Sequence, residues 1–505
     1  MEKKVEKTLA IIGAGIAGLS AGIYGRASGY KTTIFELHDK PGGLCTSWKR
    51  KGYTFDGCIN WLVGSAPGGG MNRMWQEIGA LRNTKIVDHE EFTRVENREG
   101  KQFILYTNID KLENHMKELS PDDVGQIEKL TGTLRKFTRF ATATGDMDED
   151  KGTIAKLAAG VRMVPYLGEF KKYSNLTIKE FAAGFKDLFL RDSFEHCIGM
   201  PDFPMIGMLM TVAWMHNRDA GYPVGGSLEF SKRIEKRYLE LGGEIRYKSP
   251  VEKVIVENDN AVAVRLSDGT EARAEYVISA ADGHRTIFDM LEGKYVNDEI
   301  KGWYRDLPIF RGNVQVSIGT KRDLSDEPPL LFIPLEEPIS VAEEKRERMA
   351  YRHYCYDPTL APKTKSVVLV TFDSDYEYWK KLSADSGAYN SEKKRIADTV
   401  ISILDKRWKG FTKDVEVVDV ATPLTTERYT GNWKGSMEGW LFSKETMKMS
   451  FGKGMPKTLP GLDSFFMAGQ WVEPGGGLPP SAQSGRKVIG MICKKDGKKF
   501  SSPGV

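Results

Sequence analysis

Cysteine is scarce in this chain: five residues in 505 (Cys45, Cys58, Cys197, Cys355, Cys493), with no CxxC pair and no Cys/His ligand spacing. Such a set builds neither a disulfide framework nor a zinc site, and it fits a reducing, cytoplasmic setting. An excess of charge of one sign is also missing. Seventy-three basic and 69 acidic side chains leave a net charge of +4, too even a balance for a nucleic-acid partner. Long hydrophobic runs are absent. The uncharged stretch Leu9–Gly25 follows Lys3, Lys4 and Lys7 in the manner of a leader or anchor. It carries five glycines, however, and no orderly cleavage site follows, so it reads as folded protein. Acidic clusters with metal spacing are lacking too: Asp373, Asp375 and Glu377 alternate without an EF-hand loop, and no metal is expected.

Glycine is abundant, with 52 residues gathered mainly near the two ends. Clustered glycine points to close approach of backbone to a ligand. The apolar run Thr8–Ile12 leads into Gly13-Ala14-Gly15-Ile16-Ala17-Gly18, a helical stretch, and Thr32-Thr33-Ile34-Phe35 ending at Glu36. Strand, tight turn, helix, strand and acid stand in register for a dinucleotide. Gly13 permits the turn, Gly15 admits a pyrophosphate, and Gly18 lets helix and sheet close up. Ile16 and Ala17 open the helix whose free N–H groups attract the anion. Glu36, about 20 residues on, is placed for an unphosphorylated ribose, which argues against a 2′-phosphate. Gly18-Leu19-Ser20-Ala21-Gly22 mimics an esterase elbow, but Ser20 falls inside the helix rather than on the turn. No second intact GxGxxG is present, so no dedicated nicotinamide site is expected.

Glu36-Leu37 is followed by Pro41-Gly42-Gly43-Leu44-Cys45, where a glycine pair allows a second pass along the dinucleotide. The stretch Asp56–Trp61, with Asn60 and Trp61, then carries the chain toward the ring system. Here the sequence resembles the large flavin family that includes phytoene desaturases, carotenoid isomerases, retinol saturases and, more distantly, amine oxidases. Further matches are Tyr222–Leu228, Pro250-Val251-Glu252-Lys253-Val254, Tyr276–Asp282 with Ala280 and Ala281, and Phe465–Trp471 followed by Pro474–Ala482. In relatives the Val251 backbone meets adenine, and the Gly469 segment holds the ribityl chain. A helix N-terminus at Gly477, Leu478, Pro479 and Ala482 faces the flavin's pyrimidine edge, where reduced flavin is negative. Two departures matter. Gln470 replaces a common acid, although its amide oxygen still accepts a hydroxyl. Leu44 replaces the arginine usual in amine oxidases, which disfavours that branch.

The resemblance implies FAD as cofactor and an α/β fold, with an FAD-binding Rossmann-like domain in three layers (β/β/α) and an interleaved α+β substrate domain. Residues 1–110, 220–300 and 455–505 are expected to form the cofactor domain, and 111–219 and 301–454 the substrate lobe. It implies an FAD-dependent oxidoreductase acting on carbon–carbon bonds of an apolar unsaturated carotenoid, isoprenoid or other lipid by hydride transfer. A flavin amine oxidase and a non-catalytic flavin-binding lipid carrier stay open as alternatives. Quinone, oxygen and a reductase remain open as electron acceptors. Glu473 is the candidate acid or base and Trp61, with Trp471, a wall of the site; His216 and His284 are further candidates.

The methionine-rich stretch Cys197–Met215 suits either a lipid tunnel or a buried core helix. Residues 154–173 mix apolar and basic side chains and read as an amphipathic surface helix or a peripheral membrane contact. The basic tail Lys494, Lys495, Lys498 and Lys499 reads as a solvated terminus, with weak attraction to anionic lipid as the alternative. Thr422–Gly435 corresponds to a region that approaches substrate and flavin in relatives, and a plain interdomain loop would look similar.

Overall fold

Residues 6–144, 164–451 and 454–505 are described by the structure, a computed structural model. Five short strands run parallel in the order Glu244–Arg246, Lys31–Phe35, Thr8–Ile12, Tyr276–Ser279 and Phe465–Met467. Alternation sends successive side chains to opposite faces, and both faces are covered, which is why these strands read as nearly continuous apolar runs. Leu9, Ile11, Ile34 and Ile278 pack against the helices Ile16–Ala27, Gly226–Glu240 and Leu478–Lys495. Ala10, Ile12, Phe35 and Val277 pack instead on an antiparallel sheet of Val251–Glu257, Asn260–Leu266 and Glu271–Arg273. The expected three layers are present. Gly18 sets the closeness of the first turn: a Cβ there would stand 1.9 Å from the Gly13 carbonyl oxygen.

A second, seven-stranded sheet runs in the order Val415–Ala421, Asn313–Thr320, Ser366–Asp373, Glu344–His353, Leu330–Val341, Glu91–Glu96 and Gln102–Tyr106. Its pairs are antiparallel except for Leu330–Val341 with Glu91–Glu96. Helix Ser386–Arg407 covers one face through Ile396, Val400 and Leu404, against Val316, Tyr351 and Val368. The strands Glu91–Glu96 and Gln102–Tyr106 fall inside the expected cofactor segment 1–110, yet they pair in this second sheet. Their inward residues Val95, Phe103 and Leu105 bury among the helices 109–119, 124–144 and 205–216, not on the parallel sheet.

The methionine-rich stretch gives helix Met205–His216. Met205 and Met208 are buried in the helical core, while Met208 and Met210 also face a cavity. Of the amphipathic stretch 154–173, residues 154–163 lie outside the described residues. The remainder forms the turn Val164–Tyr166 and helix Leu167–Ser174, with Val164 and Leu167 exposed. Residues 423–430 form a helix that begins at a proline rather than a loop. The tail folds back: Lys495 meets Asp463 at 3.3 Å, and Lys498 lies over the Tyr30 ring. Among the described residues no helix is long and apolar enough to cross a membrane.

Candidate functional site

One continuous cavity of about 2880 Å³ runs from the parallel sheet to the inner face of the seven-stranded sheet. It far exceeds the ~300–1,000 Å³ of an ordinary small-molecule site, so a dinucleotide and a second long ligand fit together. Its first end is the glycine-rich turn. Helix Ile16–Ala27 starts at Gly15 with no side-chain cap, although that end is buried. A buried, uncapped helix start leaves donors for an anion. Beside Gly15 nothing stands nearer to a Cβ position than the Gly42 carbonyl oxygen at 4.0 Å, so the approach is open. Glu36 is buried and accepts from the Ala14 N–H at 2.6 Å and the His38 N–H at 2.8 Å. Burial holds its carboxyl above the usual range, with the backbone donors of His38, Ala14 and Leu37 pulling the other way. Leu37, Gly42, Gly43, Leu44, Val251, Ala280 and Ala281 line the same end.

The far end is built by the chain's last strand and helix. Gly469 donates its N–H to the Ser484 hydroxyl at 2.7 Å. Gln470 and Trp471 both donate to the Asn432 side-chain oxygen, at 3.2 and 2.9 Å. Asn432, just past helix Pro423–Thr430, thereby ties that segment to the cavity wall. Helix Leu478–Lys495 begins at Gly477 without a side-chain cap, and Leu478 and Pro479 open onto the cavity. Two uncapped helix starts thus converge on one chamber. Asn60 and Trp61 line the same chamber, Trp61 edge-on to Phe92 with ring centroids 5.1 Å apart.

Three expected residues stand elsewhere. Gly18 faces the Gly13 backbone and serves packing. Ala482 is buried against the first helix, its carbonyl accepting from the Ser20 hydroxyl at 2.7 Å; this also accounts for that serine. Glu473 does not line the cavity but turns away to Lys457 at 2.7 Å and Lys487 at 3.6 Å. Two residues beyond Trp471, its side chain is directed out of the chamber, where two ammonium groups compete for it.

The carboxyl that does face the chamber is Glu438, which sequence reasoning missed. It sits against the glycine run, its Oε2 2.9 Å from where a Cβ on Gly476 would stand. Among the described residues it has no hydrogen-bond or ion-pair partner, and burial pushes its carboxyl up to about 7. Asp282 also lines the cavity and is pushed up to about 7 by burial, but it is engaged by the N–H groups of Arg285 and Trp433. Asp56 is fully committed: it accepts from the Ser227 N–H at 2.7 Å and the Cys58 N–H at 3.0 Å, capping helix Gly226–Glu240. Two of the scattered cysteines meet at the wall. The Cys45 thiol beside Cys58, together with burial, holds the Cys58 thiol well above its ordinary value, so it stays protonated and unreactive.

A three-layer dinucleotide fold with a buried acid just past its second strand and two helix starts open to one chamber defines an FAD-dependent oxidoreductase, and the residues present fit that cofactor. The model of the family described as flavin containing amine oxidoreductase matches residues 16–488, and the chain belongs to that family. It is 25% identical over 527 residues to a chloroplastic prolycopene isomerase of Daucus carota, spanning 98% of this chain and 81% of that one. It is 24% identical over 512 residues to a neurosporene-forming phytoene desaturase of Rhodobacter capsulatus, spanning 95% and 93%. A solved double mutant of putrescine oxidase superposes with a TM-score of 0.62 at 13% identity, over 97% of this chain and 99% of that one, which shows a shared fold.

Proposed function

We propose that this flavoenzyme alters carbon–carbon bonds of an apolar unsaturated chain by desaturation, saturation or double-bond isomerisation. The observation that carries the reading is the continuity of the cavity. The space beside the glycine turns runs without interruption into walls of Phe203, Met208, Met210, Trp214 and Phe332. Methionine and aromatic walls adapt to long irregular apolar ligands. Relatives that act on prolycopene and phytoene point the same way.

In this reading Gly15 and the start of helix Ile16–Ala27 hold the FAD pyrophosphate, and Glu36 its ribose. The start of helix Leu478–Lys495 faces the developing negative charge. When bound, the flavin supplies a two-electron hydride acceptor and donor. Trp61 and Phe92 exclude water, and Glu438 gives or takes a proton at Oε2. We propose as well that residues 91–106 belong with the substrate lobe, so that the cofactor lobe ends near residue 90. The exposed Val164 and Leu167 lie beside mouth-lining Tyr166 and Phe170, a suitable entry for a lipid from a membrane surface.

The test is anaerobic mixing of the holoprotein, oxidised and separately photoreduced, with phytoene- and lycopene-type polyenes. Support is a change in the flavin band with a product altered by one hydrogen pair or by double-bond geometry. Unchanged polyenes in both redox states would defeat the reading.

A further inference from the structure

Strand Glu344–His353 carries three arginines on the face turned to the cavity, at alternate positions 346, 348 and, beyond Ala350, 352. The opposite face, with Met349 and Tyr351, is buried under the helix. The first two arginines are neutralised. Arg346 pairs with Glu344 and with Asp373, the latter at 3.2 Å, and Arg348 pairs with Asp192. Arg352 is not. It is the next-to-last residue of the strand, opposite Leu330 and Leu369, partly buried, and it makes no ion pair among the described residues.

Its surroundings supply no anion. His89 is pushed down to about 4, first by burial and then by Arg352 and His353, so it is neutral. Tyr354 and Tyr356 lie within reach of the Arg352 charge, and burial keeps both phenols protonated. The buried Tyr356 hydroxyl stands close enough to Arg352 for its guanidinium to act on it as a donor, but a neutral phenol supplies no counter-charge. The carboxylates of this neighbourhood are engaged elsewhere: Asp56 as described, and Asp357 by the Tyr222 hydroxyl at 3.0 Å and the Gly225 N–H at 2.8 Å. A guanidinium in a cavity wall with no counter-ion presents a planar fork that matches a carboxylate in two-point geometry.

The wall around it mixes apolar side chains with the neutral polar Thr93, Gln315 and Thr371. Trp61, Phe92, Leu330, Phe332 and Leu369 share the wall with Arg352, and Tyr354 reaches the Asn60 side-chain oxygen at 3.4 Å. One cation without an ion pair among the described residues thus stands beside these apolar side chains.

We propose that Arg352 anchors a carboxylate, so that the ligand of this chamber is an unsaturated chain ending in an acid rather than a pure hydrocarbon. The proposal rests on the carbon–carbon reading above and narrows it. The head group binds at Arg352, and the chain extends along Phe332 toward Phe203 and Met208.

The experiment is calorimetric titration of the FAD-loaded protein, below micelle-forming concentrations, with linoleate, its methyl ester and a polyene hydrocarbon of similar length. The wild type is expected to bind the acid at least tenfold more tightly than the ester. Arg352→Met should abolish that preference, leaving ester affinity and flavin content unchanged, whereas Arg352→Lys should keep part of it. Equal affinity for acid and ester in the wild type overturns the proposal, as does a preference that survives in Arg352→Met. If Arg352→Met does not fold, the wild-type ratio and the lysine variant decide alone. Binding and turnover of the hydrocarbon without binding of the acid sinks the anchor but leaves the carbon–carbon reading standing. Acid binding at the expected ratio with no turnover of any unsaturated probe does the reverse. Failure of all three to bind removes both.

Discussion

Glu438 offers a direct measurement of how the chamber treats charge. Burial raises its carboxyl from 4.5 to about 7, and no partner among the described residues offsets that cost. The folded protein therefore holds this proton more tightly than the unfolded chain does. Its stabilising contribution is fully present below about pH 4.5 and fades as pH rises toward 7. Above that, the wild type carries an uncompensated buried carboxylate. At ~1.4 kcal/mol per pKa unit, the penalty reaches about 3 kcal/mol, an upper figure because water entering the cavity solvates the charge. Glu438→Gln keeps the shape and cannot ionise. Chemical denaturation of the FAD-loaded variant and wild type across this range should give a stability difference near zero to small in acid. The difference should then grow in favour of glutamine by up to about 3 kcal/mol at mildly alkaline pH. The same substitution should slow turnover and flatten the pH profile on its limb near 7. Denaturation curves that stay parallel at every pH, or a glutamine variant less stable at high pH, would show that the carboxyl is not buried unpaired.

Gly15 and Gly18 should separate ligand from packing: Gly15→Val leaves a folded protein without flavin, whereas Gly18→Ala drives a Cβ into the Gly13 carbonyl and loses the soluble fold. Flavin absorbance and circular dichroism read the two outcomes. Asp56→Ala removes the cap of helix Gly226–Glu240 and should lower stability by ~1–2 kcal/mol in denaturant. Glu473→Gln should leave the turnover pH profile unchanged, because that carboxylate is held by Lys457 and Lys487 outside the chamber; a lost limb in this variant would restore Glu473 as the proton carrier.

The cofactor end was legible because its constraints are local. Positive φ at Gly13, a close approach at Gly15 and an acid at the next strand's end all fall within one βαβ unit, where spacing along the chain equals spacing in space. The far end was partly legible for the same reason, since Gly469, Gln470 and Gly477 sit on a strand, a turn and a helix start. Glu473 misled because it is a neighbour in sequence of glycines that do line the chamber, and one backbone rotation turns it toward lysines. Glu438 and Arg352 gave no signal. Their importance comes from what is missing around them, and absence of a partner is a property of packing across segments hundreds of residues apart. The sheet that takes the strands Glu91–Glu96 and Gln102–Tyr106 was not legible for a related reason. A short alternating strand announces a sheet but not which one, and burial of Val95 and Phe103 among distant helices decides it.

The charge pattern of the chamber also bears on the flavin amine oxidase alternative, which the shared fold alone leaves standing. A protonated amine needs an anion to receive it. Asp56 and Asp282 are already engaged by backbone donors, and Glu438, pushed up to about 7, is mostly protonated only below neutral pH. The unpaired cation Arg352 stands in the same space. An ammonium held within about 6 Å of it would meet ~3 kcal/mol of repulsion at an effective dielectric near 20, roughly a hundredfold in affinity. Putrescine and spermidine should therefore bleach the bound flavin no faster than buffer under anaerobic conditions, in the wild type at mildly acidic pH, where Glu438 is protonated. Arg352→Met should not create amine turnover, because removing a repulsion supplies no receiving carboxylate. Rapid reduction of the flavin by either amine in the wild type would refute this reasoning and with it the assignment of Arg352 to an acid.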